Sequence, residues 1–156
     1  MEQVGIGMLG CGRIADLQCL GYLDHPRARI VAVCDRDEGL ARRRLEEWGA
    51  QKSYNDLDQM LADPEVDAVE ILTPHHLHEA HAVAALEAGK HVSLQKPPTR
   101  TLEEFDRVAR AAEASGRVFR VFENFMHYPP HVRAKQLIEE GAIGVPISVR
   151  VKTAAG

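Results

Sequence analysis

Short runs rich in β-branched residues occur at 4–9, 30–34, 66–72, 91–94 and 118–122, with a weaker one at 51–54. Between them lie stretches at 13–23, 37–48, 57–62, 76–88 and 102–115 in which apolar residues recur at helical spacing. This alternation predicts stacked βαβ units around a buried parallel sheet. Gly49, Gly89 and Gly116 each follow a helical stretch, where a residue without Cβ ends a helix at least cost. Pro64 and Pro74 open new connections.

The rhythm changes after Phe122. Pro129 and Pro130 open a helix expected to run to Glu140; Gly141 and Gly144 then lead into an alternating strand at 147–152. Such alternation belongs to a sheet with one wet face. We therefore expect two parts: a nucleotide-binding domain at 1–123, and at 124–156 the beginning of a second, α+β domain whose remainder is absent. An unpaired strand at 147–152 favours pairing with another chain, so self-association is expected.

The chain has 156 residues, 45% hydrophobic and 27% charged, a balance suited to about one domain of 100–200 residues. Nineteen basic against 23 acidic side chains leave a formal charge of −4, which argues against a nucleic-acid or anionic-membrane binder. No apolar run approaches the roughly 18 residues of a membrane span. Cys11, Cys19 and Cys34 show no CxxC spacing and sit in or beside apolar runs. They read as buried thiols of a reducing compartment, the cytoplasm. The run Arg42-Arg43-Arg44 is followed by Glu46 and Glu47 at helical spacing and is expected to be a solvated helix face.

Gly10-Cys11-Gly12-Arg13-Ile14-Ala15 follows the first strand and opens a helix, giving G-x-G-x-x-A in the context a dinucleotide fingerprint requires. Gly10 permits the tight turn, Gly12 lets backbone approach a pyrophosphate, and Ala15 allows close helix packing, with Arg13 and Ile14 at the helix opening beside the phosphates. Asp35 comes 20 residues after Ala15, at the end of the second strand. A carboxylate there accepts the adenosine ribose hydroxyls and disfavours a 2′-phosphate, so NAD is expected ahead of NADP. Arg36 either stacks on the adenine or pairs with that phosphate. These features predict a doubly wound, Rossmann-type α/β sheet.

Thr73-Pro74-His75-His76-Leu77-His78 follows the fourth strand of the set, and Gln95-Lys96-Pro97-Pro98 the fifth. Ligands of such sheets bind beyond the carboxyl ends of strands. Four nearby histidines, His75, His76, His78 and His81, lack a completing cysteine or carboxylate, so no metal site is expected and the two on the helix are assigned to capping or surface. Taken together, the order of G-x-G-x-x-A, an acidic second-strand end, T-P-x-x-x-H and a Lys-Pro turn resembles the glucose-fructose oxidoreductase, inositol dehydrogenase and rhizopine-catabolism (Gfo/Idh/MocA) family. The segment from Asn124 to Gly144 also resembles that family's passage into its second domain.

The resemblance implies an NAD(P)-dependent oxidoreductase acting on a sugar, cyclitol or related polyol, and a homo-oligomer. It places Lys96 beside the nicotinamide as the catalytic group, where an ammonium donates to a substrate oxygen. It puts Thr73, Pro74, His75, His78, Gln95 and Asn124 along the cofactor. Gln95 stands where the family has glutamate and cannot act as a base. The family's second-domain D-x-x-x-H motif has no counterpart after Lys96, and His127 and His131 lie too early to serve. We therefore expect part of a full oxidoreductase that binds NAD but turns over little. The alternatives are a standalone nucleotide-binding or sensor module, and a partner-binding domain that has lost the cofactor.

Overall fold

The computed structural model describes residues 3–123, 127–150 and 152. Six strands form one parallel sheet: β1 (Val4–Leu9), β2 (Ala28–Cys34), β3 (Lys52–Tyr54), β4 (Ala68–Ile71), β5 (His91–Gln95) and β6 (Phe119–Phe122), in the order β3-β2-β1-β4-β5-β6. The helices are α1 (Ala15–Gln18), α2 (Leu20–Leu23), α3 (Glu38–Trp48), α4 (Leu57–Leu61), α5 (His78–Glu87), α6 (Leu102–Ser115) and α7 (Pro129–Glu139). The strand order runs outward in both directions from the β1/β4 pair, which is the doubly wound arrangement read from the sequence.

Alternate strand residues feed two buried clusters, one on each face. Met60 of α4, Ala82, Ala85 and Leu86 of α5 and Val108 of α6 pack on Val31, Val69, Ile71, Val92 and Leu94. On the other face Ala15, Cys19, Ala41 and Trp48 pack on Ile6, Met8, Ile30, Val33 and Leu72. Burying a side chain the size of Met8 or Leu94 contributes about 1.5–3 kcal/mol, so these faces fix the register. Side-chain oxygens of Asp37, Asp56 and Thr101 accept the free N–H groups that open α3, α4 and α6. Gly49 and Gly116 end α3 and α6 in the left-handed region, as their positions predicted.

A carboxylate sits deep in this sheet. Glu70 of β4 is 1% exposed and accepts a 2.7 Å hydrogen bond from the Tyr22 hydroxyl on α2. Burial pushes both the Glu70 carboxyl and the Tyr22 phenol above their ordinary ranges.

Two expectations are corrected. The helix expected at 13–23 starts at Ala15 and divides at Cys19, where Tyr22 N–H bonds to Cys19 O at 2.8 Å and the ladder tightens to i→i+3. Gly21, a poor helix former, lies just beyond the division. The strand expected at 147–152 is absent from 147–150, which has no regular secondary structure, and Val145, Ile147 and Val149 stand exposed. Alternation alone does not make a strand without a partner for its backbone.

The chain divides after Phe122 into two compact units. The described part of the second is α7, opened by Pro129 and Pro130 at its first positions, and the turns at 140–143 that follow it. No described helix is long and apolar enough to cross a membrane.

Candidate functional site

Because every strand is parallel, the loops that follow β1, β2, β4 and β5 emerge at one edge of the sheet. The expected site residues of these loops all lie there, except Asn124, which is outside the described residues.

The turn after β1 is held from below. Gly10 takes φ +93°, and a Cβ there would stand 2.9 Å from the Leu72 carbonyl carbon, so only glycine fits. Its N–H bonds to Cys34 O at 2.8 Å, and the next N–H, of Cys11, bonds to Asp35 Oδ2 at 2.8 Å. Asp35 Oδ1 accepts the Asp37 N–H at 3.0 Å. The Asp35 carboxylate thus fastens the glycine turn to the end of β2, and each of its oxygens keeps a second lone pair for an incoming hydroxyl.

Above the turn the surface is open. A Cβ on Gly12 would meet nothing within 4 Å, and among the described residues none accepts a hydrogen bond from the N–H groups of Gly12, Arg13 or Ile14. Three successive unused donors beside open space suit an anion such as a pyrophosphate. Arg13 and Arg36 are exposed.

The sequence reading missed Arg44. It is 9% exposed, not part of a solvated face as Arg42 and Arg43 are, and its Nε donates to Cys11 O at 3.2 Å. Its guanidinium also pairs with Asp16 at 2.7 Å and with Glu47, and lies over the Trp48 ring at 5.3 Å. Ala41, Arg44 and Trp48 are the buried residues of α3, at the spacing of one helical stripe. That stripe was the available signal, and the run of three arginines concealed it.

The loop after β4 continues through a 3-10 turn at His75–Leu77 into α5. Pro74, His75 and His76 are exposed, and Thr73 is half-buried with its hydroxyl 3.0 Å from His81 Nδ1. His81 is held below the ordinary imidazole range by burial and then by the charges of His78 and His76. The surface or capping role expected for His78 is corrected: the residue is fully buried, with Nε2 2.8 Å from Thr73 O and Nδ1 2.9 Å from Pro97 O. A backbone carbonyl stands against each ring nitrogen, so the ring faces the two loops.

At the end of β5, Gln95 is buried. Its Oε1 accepts the Lys96 N–H at 2.9 Å, and its Nε2 has no partner among the described residues. An unpaired buried donor costs about 1–3 kcal/mol unless a ligand meets it. Lys96 itself is exposed, and the Lys96–Pro97 peptide is cis. Among the described residues no three His, Cys, Asp or Glu side chains converge to hold a metal. Cys11, Cys19 and Cys34 are free and buried, and burial pushes the Cys11 and Cys34 thiols up to about 12, which leaves them inert as nucleophiles.

Residues 4–123 match the Gfo/Idh/MocA oxidoreductase family model, described as an NAD-binding Rossmann fold. The chain belongs to this family. A levoglucosan dehydrogenase of Pseudarthrobacter phenanthrenivorans is 33% identical, the match covering 96% of this chain and 40% of that protein. The scyllo-inositol 2-dehydrogenase (NAD(+)) of Bacillus subtilis is 33% identical over 94% of this chain and 43% of its own length. Among solved structures, GenD2 from gentamicin A biosynthesis in complex with NAD superposes with a TM-score of 0.84 at 30% identity, over 91% of this chain and 40% of that one. This member of the Gfo/Idh/MocA family thus spans about two-fifths of the length of the curated relatives it matches.

Proposed function

We propose that the edge formed by the loops after β1, β2, β4 and β5 binds NAD, as the cofactor half of an oxidoreductase. That oxidoreductase moves hydride between the nicotinamide and a sugar, cyclitol or related polyol. The observation that carries the reading is the Gly12, Arg13 and Ile14 N–H triplet beneath open space, fastened at Cys11 by a carboxylate. In this reading Gly10, Gly12, Arg13 and Ile14 hold the pyrophosphate, Asp35 takes the adenosine ribose hydroxyls, and Arg36 lies against the adenine. Thr73, Pro74, His75 and Gln95 line the nicotinamide side, with Asn124 assigned there from its place in the family pattern.

NAD supplies the two-electron hydride chemistry when bound. Lys96 is the catalytic group: its ammonium donates to the oxygen on the reacting carbon and stabilises charge that develops there. Gln95 aims its spare N–H₂ at a cofactor or substrate acceptor while its carbonyl fixes the Lys96 backbone. Residues 124–156 begin the substrate and oligomerisation domain, a reading supported by the division after Phe122 and by the greater length of the relatives. The whole protein is a cytoplasmic homo-oligomer that binds neither nucleic acid nor membrane, and NADP is its weaker cofactor.

Calorimetric titration of the chain with NADH tests this reading, with Lys96→Ala alongside. Binding that Lys96→Ala leaves nearly unchanged supports a cofactor site with a lysine reserved for chemistry. Absence of binding at millimolar NADH reduces the glycine turn to a packing feature.

A further inference from the structure

His78 is 0% exposed, yet the two atoms that meet its ring nitrogens are both backbone carbonyl oxygens, Thr73 O at 2.8 Å from Nε2 and Pro97 O at 2.9 Å from Nδ1. A carbonyl oxygen only accepts, and a neutral imidazole carries one N–H and one lone pair. The neutral ring can therefore make one of these bonds, and it sets its lone pair against the other carbonyl. Only the imidazolium, with N–H on both sides, satisfies both acceptors. The two acceptors belong to the loops that flank the proposed nicotinamide site: Thr73 opens the loop after β4, and Pro97 follows Lys96.

We propose that His78 is a proton-dependent latch, which as imidazolium donates from both ring nitrogens and ties the Thr73 loop to the turn carrying Lys96, and which frees one of them on losing its proton. The inference rests on reading this edge as the dinucleotide site, and it names a positioning residue and a regulating species for it.

The forces on the ring are opposed. Charge-assisted bonds to two carbonyls favour the imidazolium. Burial disfavours it, as does its place at the first position of α5, where the helix end is positive. The surrounding titratable and charged groups are His75, whose ring lies 5.3 Å away, His76 and His81 on the same stretch, and Lys96 beside Pro97. From α6, packed on α5, come Glu104 and Arg107, each already in an ion pair, with Arg100 and Glu79. Because the closed form is the doubly protonated ring, the latch closes when the ring gains its second proton and opens when it loses it.

The test has two readouts on the full chain. Two-bond 1H–15N correlation of 15N-histidine-labelled protein, from about pH 5 to about pH 9, reports how many ring nitrogens of His78 are protonated. In parallel, NADH affinity is measured over the same range for wild type and His78→Gln, which offers a donor on one side only. We expect a doubly protonated ring at low pH, Thr73 and Lys96 amide signals that move with its titration, and NADH binding about tenfold weaker once the proton is lost. His78→Gln binds at the weaker level with that pH dependence flattened. A His78 ring carrying a single proton throughout, or NADH affinity with the same pH dependence in both proteins, overturns the latch. If NADH binds at no pH while the His78 titration still moves Thr73 and Lys96, the latch stands and the dinucleotide reading falls. Should His78→Gln fail to fold, the wild-type spectra decide.

Discussion

Arg44 Nε donates to the Cys11 carbonyl oxygen at 3.2 Å, across 33 positions of sequence, and so braces the glycine turn from the side opposite Asp35. Cys11 offers one backbone group to each: its N–H to Asp35 and its C=O to Arg44. The turn's outward N–H groups are presented by a backbone fixed at both ends. Arg44→Met keeps much of the packing against Trp48 but removes the donor and the partner of Asp16, which is 45% exposed. We expect a loss of about 1.5–3 kcal/mol in urea unfolding and weaker NADH binding, with Arg44→Lys between the two. A folded Arg44→Met with unchanged NADH affinity would mean that Asp35 suffices.

Asp35 carries a second expectation, on cofactor choice. Its carboxylate is committed to two N–H groups yet keeps lone pairs for ribose hydroxyls, and its charge repels a 2′-phosphate. Asp35→Ala should weaken NADH by about 10–100-fold, the equivalent of one or two hydrogen bonds to a charged group. NADPH, already repelled, should lose less, so the ratio of the two dissociation constants narrows. Equal loss for both cofactors would show that Asp35 acts only by fastening the turn.

Gln95 separates stability from binding. Replacing it by Met removes the Lys96 N–H acceptor, which costs, and also the unpaired buried Nε2, which gains. The two are of similar size, so the apo chain should change by less than about 1 kcal/mol. NADH binding should nevertheless fall about tenfold if Nε2 meets the cofactor. Thermal unfolding and calorimetry on the same variant distinguish this from a purely structural glutamine, for which binding would hold.

The parallel sheet was legible because βαβ units leave a strong signature: β-branched runs at β1, β2, β4 and β5 separated by helical spacing. The glycine turn and Asp35 were legible as well, since strand, turn and acid recur at fixed intervals. What escaped depends on distant partners. Nothing local says that Arg44 turns inward, because its partners Cys11 and Asp16 lie about thirty residues away. The burial of His78 follows from two carbonyls that only the fold brings to its ring. At 147–150 the difference ran the other way: the strand-like alternation is present, and the described residues there form no strand. Side-chain pattern reports which face is apolar, and it is silent on which backbone or charge stands opposite.

Glu70 gives an expectation with a defined sign. Burial raises its folded carboxyl above the ordinary 4.5, so in the folded chain it retains a proton that the unfolded chain has released. Stability then falls as pH rises, because above the unfolded value the native state binds more protons. The contribution is whole below about pH 4.5 and is lost as pH climbs through the raised folded value, at up to about 1.4 kcal/mol per pH unit. Glu70→Gln keeps a carbonyl oxygen for the Tyr22 hydroxyl and has no proton to lose. It should match wild type at low pH and become the more stable protein toward neutral pH, so the two urea-unfolding profiles diverge on the alkaline side. Tyr22→Phe separates the two contributions, since it removes the donor and leaves the carboxyl: it should cost about 1 kcal/mol and retain the pH slope. Parallel profiles for wild type and Glu70→Gln would show that Glu70 titrates normally and that water reaches β4.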